Sequence, residues 1–201
     1  SKPVSGKLWD LFLLSCFNSD KPLNKVLVLG AGGGAIINLI HYFFPQCQID
    51  AIDLDDTHLY VARKFFKVSK KYCLLIHADA KSWLANNQDK KYDLIPYRSI
   101  QAQVHWVISL LERLNKKGVL VINYADKKEW ADSRKQLIQK GVTDKYQIAV
   151  ATHYNCENKI IHLSKKKLSS NVIKADQNSG ATREYMRYIN NGTIAYRKFK
   201  K

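Results

Sequence analysis

Apolar and polar residues follow two different spacing patterns along this chain. Short runs of aliphatic residues predict buried strands, and longer stretches with apolar residues at every third or fourth position predict amphipathic helices. Strands are predicted at 25–29, 48–54, 72–77, from 92–95 onward, 118–124, 146–154 and 159–164. Helices are predicted at 35–44, 57–66, 81–87, 99–114 and 127–140. Strands that alternate with helices in this way indicate repeated βαβ units and a mostly parallel sheet.

The last two predicted strands differ from the others, because only residues 155–158 separate them. A connection this short has no room for a helix, so the two strands should form an antiparallel hairpin. Five parallel strands followed by a hairpin predict a seven-stranded α/β sheet, in contrast to the six-stranded sheet of NAD-binding domains.

The sequence divides into three segments. They are an N-terminal extension (1–24), the α/β domain (25–164) and a basic C-terminal tail (165–201). Residues 8–17 predict an amphipathic helix; a secretory signal fits less well, because Asp10 interrupts the apolar run and no small-residue cleavage site follows. The tail is predicted to be peripheral, with a short helix near 182–188. Because the chain begins with Ser1 and not with Met, we expect a processed or shortened product with further sequence upstream.

The composition is that of one globular domain. With 201 residues, 46% of them hydrophobic and 25% charged, the chain can bury a core without disulfides or a structural metal. Its four cysteines form no C-x-x-C pair, and no apolar run approaches the roughly 20 residues of a membrane-spanning helix. His153 and His162 fall on opposite strands of the hairpin, too far apart for a metal pair. We expect no metal, no membrane association and a reducing, cytoplasmic location.

The net charge is strongly positive. It amounts to +16, and about half of the excess lies in the tail, where ten Lys or Arg stand against two acids. Such a field favours an acidic partner, including nucleic acid, and works against a polycation. Because no nucleic-acid-binding motif accompanies the charge, a lysine-rich surface that only maintains solubility is the alternative interpretation.

The strongest motif is a glycine-rich turn between the first predicted strand and the first predicted helix. Residues 30–34 read Gly-Ala-Gly-Gly-Gly. Glycine suits a cofactor turn because it lets the chain reverse tightly and exposes backbone N–H groups that a Cβ would shield. We therefore predict that Gly30, Ala31, Gly32 and Gly34 bind a cofactor.

Two acidic residues end the next two strands. Asp53 follows the glycines by about 20 residues, where a carboxylate can accept hydrogen bonds from both ribose hydroxyls, and Leu54 lies beside it. Asp79 can accept a hydrogen bond from an adenine amine, while the small Ala80 leaves room for the ring. Each acid has a plainer interpretation as a turn or helix-capping residue, and for Asp55 we favour that one.

Taken together, these motifs resemble the spermidine synthase-like branch of the class I S-adenosylmethionine-dependent methyltransferase superfamily. The similarity rests on four segments: the glycine turn, Asp53-Leu54-Asp55, His77–Ala80 with Trp83-Leu84, and residues 92–95. Before the turn, Val28 occupies a position at which this branch typically has no acid. It covers about residues 25–125. The resemblance implies a Rossmann-like class I methyltransferase fold, a cytosolic transferase, and S-adenosylmethionine or its decarboxylated form as cofactor.

Three departures from that branch bear on the reaction. In polyamine synthases, aspartates in the loop after strand four bind the substrate amine and help to deprotonate it. Here Ile95 runs straight into Pro96-Tyr97-Arg98, so we hypothesise that a loop is deleted or missing between Ile95 and Pro96. The synthases also carry an N-terminal β-rich domain that closes the pocket and oligomerises, whereas 24 residues precede the first predicted strand in this sequence. A homodimer is still one expectation. Finally, a strongly cationic protein is a poor electrostatic match for putrescine.

We therefore expect methyl transfer more than aminopropyl transfer, to an acceptor that these residues do not specify. The alternatives are a true polyamine aminopropyltransferase and an inactive fold relative that binds nucleic acid or another acidic partner. No catalytic residue is assigned. Tyr97, Arg98 and Tyr124 lie near the carboxyl ends of strands four and five, where such sheets bind ligands, but loop packing explains each equally well. His105 and Trp106 are assigned to a helix as core or surface residues.

Overall fold

The computed structural model describes residues 8–17, 22–98, 103–153 and 156–168, together with the backbone of 194–198. Its strands are β1 (Lys25–Leu29), β2 (Gln48–Asp53), β3 (Cys73–His77), β4 (Tyr92–Arg98), β5 (Leu114–Tyr124), β6 (Gln147–His153), β7 (Lys159–Ser164) and β8 (Ile194–Lys198). Its helices are a 3₁₀ helix (Leu8–Leu13), α1 (Ala35–Phe43), α2 (Asp56–Lys64), α3 (Ala80–Asn86), α4 (Val104–Glu112), α5 (Lys127–Gln139) and α6 (Val142–Lys145).

These strands form one sheet in the order β3-β2-β1-β4-β5-β7-β6-β8. The pairs among β1 to β5 are parallel, and β7 and β6 form an antiparallel hairpin against β5. The predicted mostly parallel seven-stranded sheet with a terminal hairpin is therefore confirmed. An eighth strand, β8, pairs antiparallel with β6. It comes from the segment predicted to be a peripheral tail, so this part of the tail extends the sheet, while the helix predicted near 182–188 lies outside the described residues.

Strand β1 shows how the core is built on both faces of the sheet. Successive side chains of a strand point to opposite faces. Val26 and Val28 belong to one buried cluster with Ile37 of α1, whereas Leu27 and Leu29 belong to another that includes the buried residues of α4. Full burial of each such aliphatic side chain contributes roughly 1.5–3 kcal/mol. Helices on both sides thus explain why a strand of continuous apolar residues is stable here.

Strand β4 continues through a proline. The sequence predicts where this strand starts and leaves its carboxyl end open, and a proline removes one backbone donor from a strand. The register with β5 continues without a break through Ile95, Pro96 and Tyr97 as far as Arg98. The hypothesised missing loop would fall between Ile95 and Pro96, which pair with consecutive residues of β5. An insertion at that bond would interrupt this pairing.

The N-terminal segment is tied to the hairpin. The Ser15 Oγ lies 2.5 Å from the Nδ1 of His162, and the Lys166 ammonium donates a hydrogen bond to the Ser15 carbonyl at 3.2 Å. Burial lowers the pKa of His162 to about 3, so its ring is neutral near pH 7. Residues 8–13 form a 3₁₀ helix instead of the predicted α-helical turns.

Smaller differences concern the segment between β5 and β6. Gly141 follows α5 with a φ of +66°, as expected of a residue just beyond a helix, but the short helix α6 that follows it was not predicted. Within the described ranges, no helix is both long and apolar enough to cross a membrane.

Candidate functional site

A cavity of about 530 Å³ opens at the carboxyl ends of the parallel strands. Its volume lies within the range of roughly 300–1,000 Å³ that is usual for small-molecule sites. Four strand ends and the N-terminal 3₁₀ helix contribute to its wall. The lining residues are Trp9, Phe12, Val28, Leu29, Gly30, Ala31, Gly32, Gly33, Ala35, Ile36, Ile52, Asp53, Leu54, His58, Ala78, Asp79, Ala80, Pro96, Tyr97 and Arg98.

The glycine turn forms the part of the wall between β1 and α1. Gly30 and Gly32 have φ angles of +82° and +49°, which side chains rarely adopt, and a Cβ added to either would meet no atom within 4 Å. The Gly30 N–H donates to the Ile52 carbonyl at 2.9 Å, which fixes the turn against β2. These two glycines therefore serve the backbone path and leave open space beside it for a ligand.

Gly34 has a different role from the other predicted glycines. Its φ is +88°, and a Cβ there would lie 2.9 Å from Val68 and 3.2 Å from Ala62. It precedes α1 as the N-cap and is absent from the described cavity lining. The structure therefore places Gly34 at the close contact between α1 and the end of α2, whereas Gly30, Ala31 and Gly32 line the cavity, and cofactor binding by them stays a prediction.

Asp53 is the buried acid of the site, with 9% of its surface exposed. One carboxylate oxygen accepts a hydrogen bond from the Gly32 N–H at 2.8 Å, and the other accepts from the Asp55 N–H at 3.0 Å. The ring of His58 lies 3.2 Å from the second oxygen. Asp53 therefore connects the glycine turn to α2 and places a negative charge in the cavity wall, where sequence reasoning located the ribose.

His58 was missed by the sequence analysis. It lines the cavity with its side chain about half exposed, and its two ring nitrogens lie 3.2 Å from Asp53 and 3.8 Å from Asp55. The sequence feature that could have identified His58 is its position five residues after Asp53, within the first turn of a helix that starts at the strand end. Asp55 itself caps α2 by accepting from the Thr57 N–H, and that hydrogen bond lowers the pKa of its carboxyl, in agreement with the capping role favoured from sequence.

Asp79 caps a helix and also lines the cavity. Its Oδ1 accepts hydrogen bonds from the backbone N–H and the hydroxyl of Ser82 at 2.8 and 2.9 Å, so it caps α3. The backbone hydrogen bond lowers the pKa of the Asp79 carboxyl, which keeps it ionised. The same residue lines the cavity beside Ala80, and Leu54 lies just beyond the end of the neighbouring strand β2 with 69% of its surface exposed.

The end of β4 supplies a wall without acids. Pro96, Tyr97 and Arg98 line the cavity, and Asp53 and Asp79 are the carboxylates among its described lining residues. The sequence has no Asp or Glu between Asp93 and Glu112. This side of the cavity therefore offers aromatic surface and a cation.

Other candidates at this edge do not reach the cavity. Tyr124 is fully buried, its hydroxyl lies 2.6 Å from the Ser133 hydroxyl, and burial raises its pKa to about 12. Trp106 of α4 contacts the Tyr97 ring edge-on, with centroids 6.2 Å apart, and so supports the cavity wall from behind. His105 is exposed on the same helix. In the part of the chain that the structure describes, no cluster of three metal-ligating side chains occurs.

Trp9 and Phe12 are further lining residues that the sequence did not indicate. They belong to the N-terminal 3₁₀ helix, and their rings contact each other with centroids 5.5 Å apart. An apolar pair in an amphipathic segment carries no signal of which cavity it will cover. The position of both rings follows from the packing of this segment onto the sheet.

Sequence comparison finds relatives in two groups of enzymes, although no protein-family model matches the chain. The chain is 36% identical over 76 residues to the mouse eEF1A lysine and N-terminal methyltransferase, a match that covers 36% of this chain and 11% of the relative. It is 25% identical over 130 residues to a probable polyamine aminopropyl transferase of Bifidobacterium longum, covering 61% of this chain and 28% of the relative. The matches thus span only a minor part of both relatives.

Structure comparison agrees with these groups. The human methyltransferase-like protein 13 in complex with SAH superimposes with a TM-score of 0.63 at 20% identity, covering 91% of this chain and 88% of that one. A probable spermidine synthase from Corynebacterium glutamicum gives 0.70 at 15% identity, covering 94% and 74%. The chain therefore has the Rossmann-like class I methyltransferase fold, and its relatives are the methyltransferases and polyamine aminopropyltransferases that its motifs resemble.

Proposed function

We propose that this chain is a transferase that uses an adenosyl-sulfonium cofactor, and that it transfers a methyl group. The observation that supports this function best is the cavity itself, in which the glycine turn, Asp53 and Asp79 line one wall together. All three were predicted from separate positions in the sequence. Their convergence at the carboxyl edge of a parallel sheet is the arrangement expected of a nucleotide-like ligand site.

The residues present fit such a cofactor. Gly30 and Gly32 leave open space where side chains would otherwise project, and Asp53 offers carboxylate oxygens at the end of β2 for ribose hydroxyls. Asp79 and Ala80 line the same cavity and would offer an adenine ring an acceptor and room. The human neighbour was determined with SAH, which contains the same adenosyl group. Seven of the eight predicted cofactor-binding residues thus line one cavity, and Gly34 supports the turn from behind.

Methyl transfer is favoured over aminopropyl transfer by the acceptor side of the cavity. Deprotonation and binding of a polyamine call for carboxylates, because the substrate is cationic and its amine must lose a proton. The end of β4 instead presents Arg98, whose charge repels a cation. Asp53 and Asp79 line the part of the cavity that is assigned to the cofactor. The acceptor of this protein is therefore proposed not to be a polyamine.

The bound cofactor would supply an electrophilic methyl group on sulfonium. The protein would contribute orientation and the exclusion of water, as suits an in-line displacement. Asp53 would hold the ribose, and the rings of Trp9 and Phe12 would cover the cavity from the N-terminal side. His58 and Tyr97 are titratable side chains of the same lining, and neither is assigned the role of general base.

The test is calorimetric titration of the chain with S-adenosylmethionine, decarboxylated S-adenosylmethionine and methylthioadenosine in parallel. We expect the intact amino-acid form to bind tighter than the decarboxylated form. Tighter binding of the decarboxylated form or of methylthioadenosine would favour polyamine synthesis. Absence of binding by all three would contradict a cofactor site and favour an inactive fold relative.

Polyamine aminopropyl transfer is the second candidate, because the B. longum match covers more of this chain than the mouse methyltransferase match does. A cytoplasmic location, a homodimer and an acidic partner for the basic tail stay predictions. Most of that tail lies outside the described residues, apart from the β8 backbone and residues 165–168.

A further inference from the structure

The outer surface of α2 and the loop after it carries three exposed aromatic rings. Tyr60, Phe65 and Phe66 expose 52%, 67% and 44% of their surface. Clusters of exposed apolar side chains on a folded domain mark interaction sites. We call residues 60–71 the aromatic-basic surface.

Five of the residues in this surface are Lys or Arg, and all five are exposed: Arg63, Lys64, Lys67, Lys70 and Lys71. The sequence has no Asp or Glu between Asp56 and Asp79. Among the described residues, none of the five cations takes part in a salt bridge. The positive charge of this surface is therefore not neutralised by neighbouring acids.

Rings and cations lie close together along this surface. Tyr60 and Lys64 are four residues apart on α2 and share one helical face, away from the buried Leu59 and Ala62, and Lys67 follows three residues beyond the end of the helix. The ammonium of Lys64 lies 6.0 Å from the centroid of the Tyr60 ring, and the Tyr60 and Phe65 rings are 6.4 Å apart. A ligand that lies along this face would meet flat rings and positive charges in turn.

The loop that presents the rings is fixed to α1. The amide of Asn38 donates a hydrogen bond to the Phe66 carbonyl at 2.7 Å, and the Tyr72 hydroxyl donates to Asn38 at 3.1 Å. The Tyr72 ring in turn stacks on His41 with centroids 3.6 Å apart. Lys67 has a φ of +56°, a left-handed conformation in which glycine would be more stable. The backbone that carries Phe65 and Phe66 is thus anchored, and a cation occupies the turn where glycine is favoured.

We propose that the aromatic-basic surface binds single-stranded nucleic acid. Bases stack on exposed aromatic rings irrespective of their identity, and neighbouring Lys and Arg neutralise phosphates. An acidic protein would satisfy the cations but would give the ring faces of Tyr60 and Phe65 no partner. A single strand satisfies both. The surface adjoins the cavity, since the Phe66 ring lies 3.1 Å from the Cβ position of Gly33, but the proposal does not depend on transferase activity.

The first test is fluorescence anisotropy of the full chain with a labelled oligo(U) of about 12 nucleotides. Exchanging Lys64 and Lys67 for Glu should weaken binding at least about tenfold. The matched control exchanges Lys128 and Lys135, two exposed lysines of α5, for Glu and so makes the same change in net charge. The control should weaken binding no more than about twofold. The logarithm of the wild-type binding constant should fall with the logarithm of salt concentration, with a slope no steeper than about −3.5 for five phosphate contacts.

The second test separates base stacking from apolar docking. Replacing Tyr60 and Phe65 by Leu retains apolar bulk and removes the ring faces. This variant should bind oligo(U) about tenfold more weakly, as expected for loss of stacking. The proposal is overturned if wild type does not bind at low salt, if the α5 control is weakened equally, or if a poly-glutamate peptide binds as tightly as oligo(U) and is insensitive to loss of the rings. All replaced side chains are exposed, and an unchanged melting temperature would show that the variants fold.

Discussion

The carboxyl edge of the sheet has two halves with different chemistry. At the ends of β2 and β3, Asp53 accepts hydrogen bonds from the backbone N–H groups of Gly32 and Asp55, and Asp79 accepts one from that of Ser82. At the end of β4, the wall consists of Pro96, Tyr97 and Arg98 and has no acid. In the proposed function the first half holds the cofactor, whereas the second half restricts which acceptor can approach. Cofactor affinity and acceptor choice should therefore respond to different residues.

The largest effect is expected from Gly32→Asp, because the change adds bulk and negative charge to a residue that lines the cavity at a φ of +49°. It also sets a second carboxylate beside Asp53. Affinity for S-adenosylmethionine should fall more than about 100-fold, corresponding to about 3 kcal/mol. Calorimetric titration measures this loss. Unchanged affinity would remove the turn from the cofactor site.

Gly34→Ala is the control for that change. A Cβ at Gly34 would press on Val68 at 2.9 Å and strain a positive φ, but it would not enter the cavity. We expect the free energy of unfolding to fall by about 1–3 kcal/mol, while affinity in the folded protein changes less than about twofold. Urea denaturation and titration measure the two quantities separately.

Asp53→Asn should have the next largest effect. The amide oxygen can keep one of the two backbone hydrogen bonds, but the charge that favours ribose hydroxyls is lost. Hydrogen bonds to charged groups are worth about 1.5–3 kcal/mol, so affinity should fall about 10- to 100-fold. The same exchange at Asp126, which caps α5, is the matched control and should leave the affinity unchanged. An equal loss in both variants would argue against a ribose contact by Asp53.

Asp79→Asn should have a smaller effect, since asparagine also caps helices and an amide oxygen remains available to adenine. We expect affinity to fall about 3- to 10-fold, with little change in melting temperature. If Asp79 served only as the cap of α3, affinity would stay constant. Titration with adenosine alone would locate the loss at the base.

The smallest effect on cofactor affinity is expected from Arg98→Ala, on the other half of the edge. Arg98 is exposed at the rim, so affinity for S-adenosylmethionine should change less than about twofold. Binding of putrescine, measured in the presence of methylthioadenosine, should increase because a repelling charge is removed. A large loss of cofactor affinity would show that the two halves are not independent.

Much of the fold was predictable because its strands are short, apolar and separated by clear turns. The limits of β1 and β7 were predicted to the residue, as both are continuous aliphatic runs. The end of β4 was left open by the sequence, because Pro96 normally disfavours a central strand, and in the structure pairing with β5 continues past it. β8 was missed because it depends on the free edge of β6, which the sequence of the tail does not reveal.

The candidate site was predictable where a local motif coincides with a strand end. The glycine turn, Asp53 and Asp79 each follow a buried strand, so the parallel topology brings them together. His58, Trp9 and Phe12 reach the same cavity through the orientation of a helix and of the N-terminal segment. Those orientations result from tertiary packing, which no local pattern records.

The contact between Ser15 and His162 joins residues that are 147 positions apart in the sequence. It fastens the start of the domain to its final hairpin, while Trp9 and Phe12 of the same N-terminal segment cover the cavity. This contact therefore holds in place the N-terminal segment that covers the site. A shortened protein that starts at β1 would lose both this contact and one wall of the ligand site, so domain boundaries drawn from the sheet alone would be too narrow.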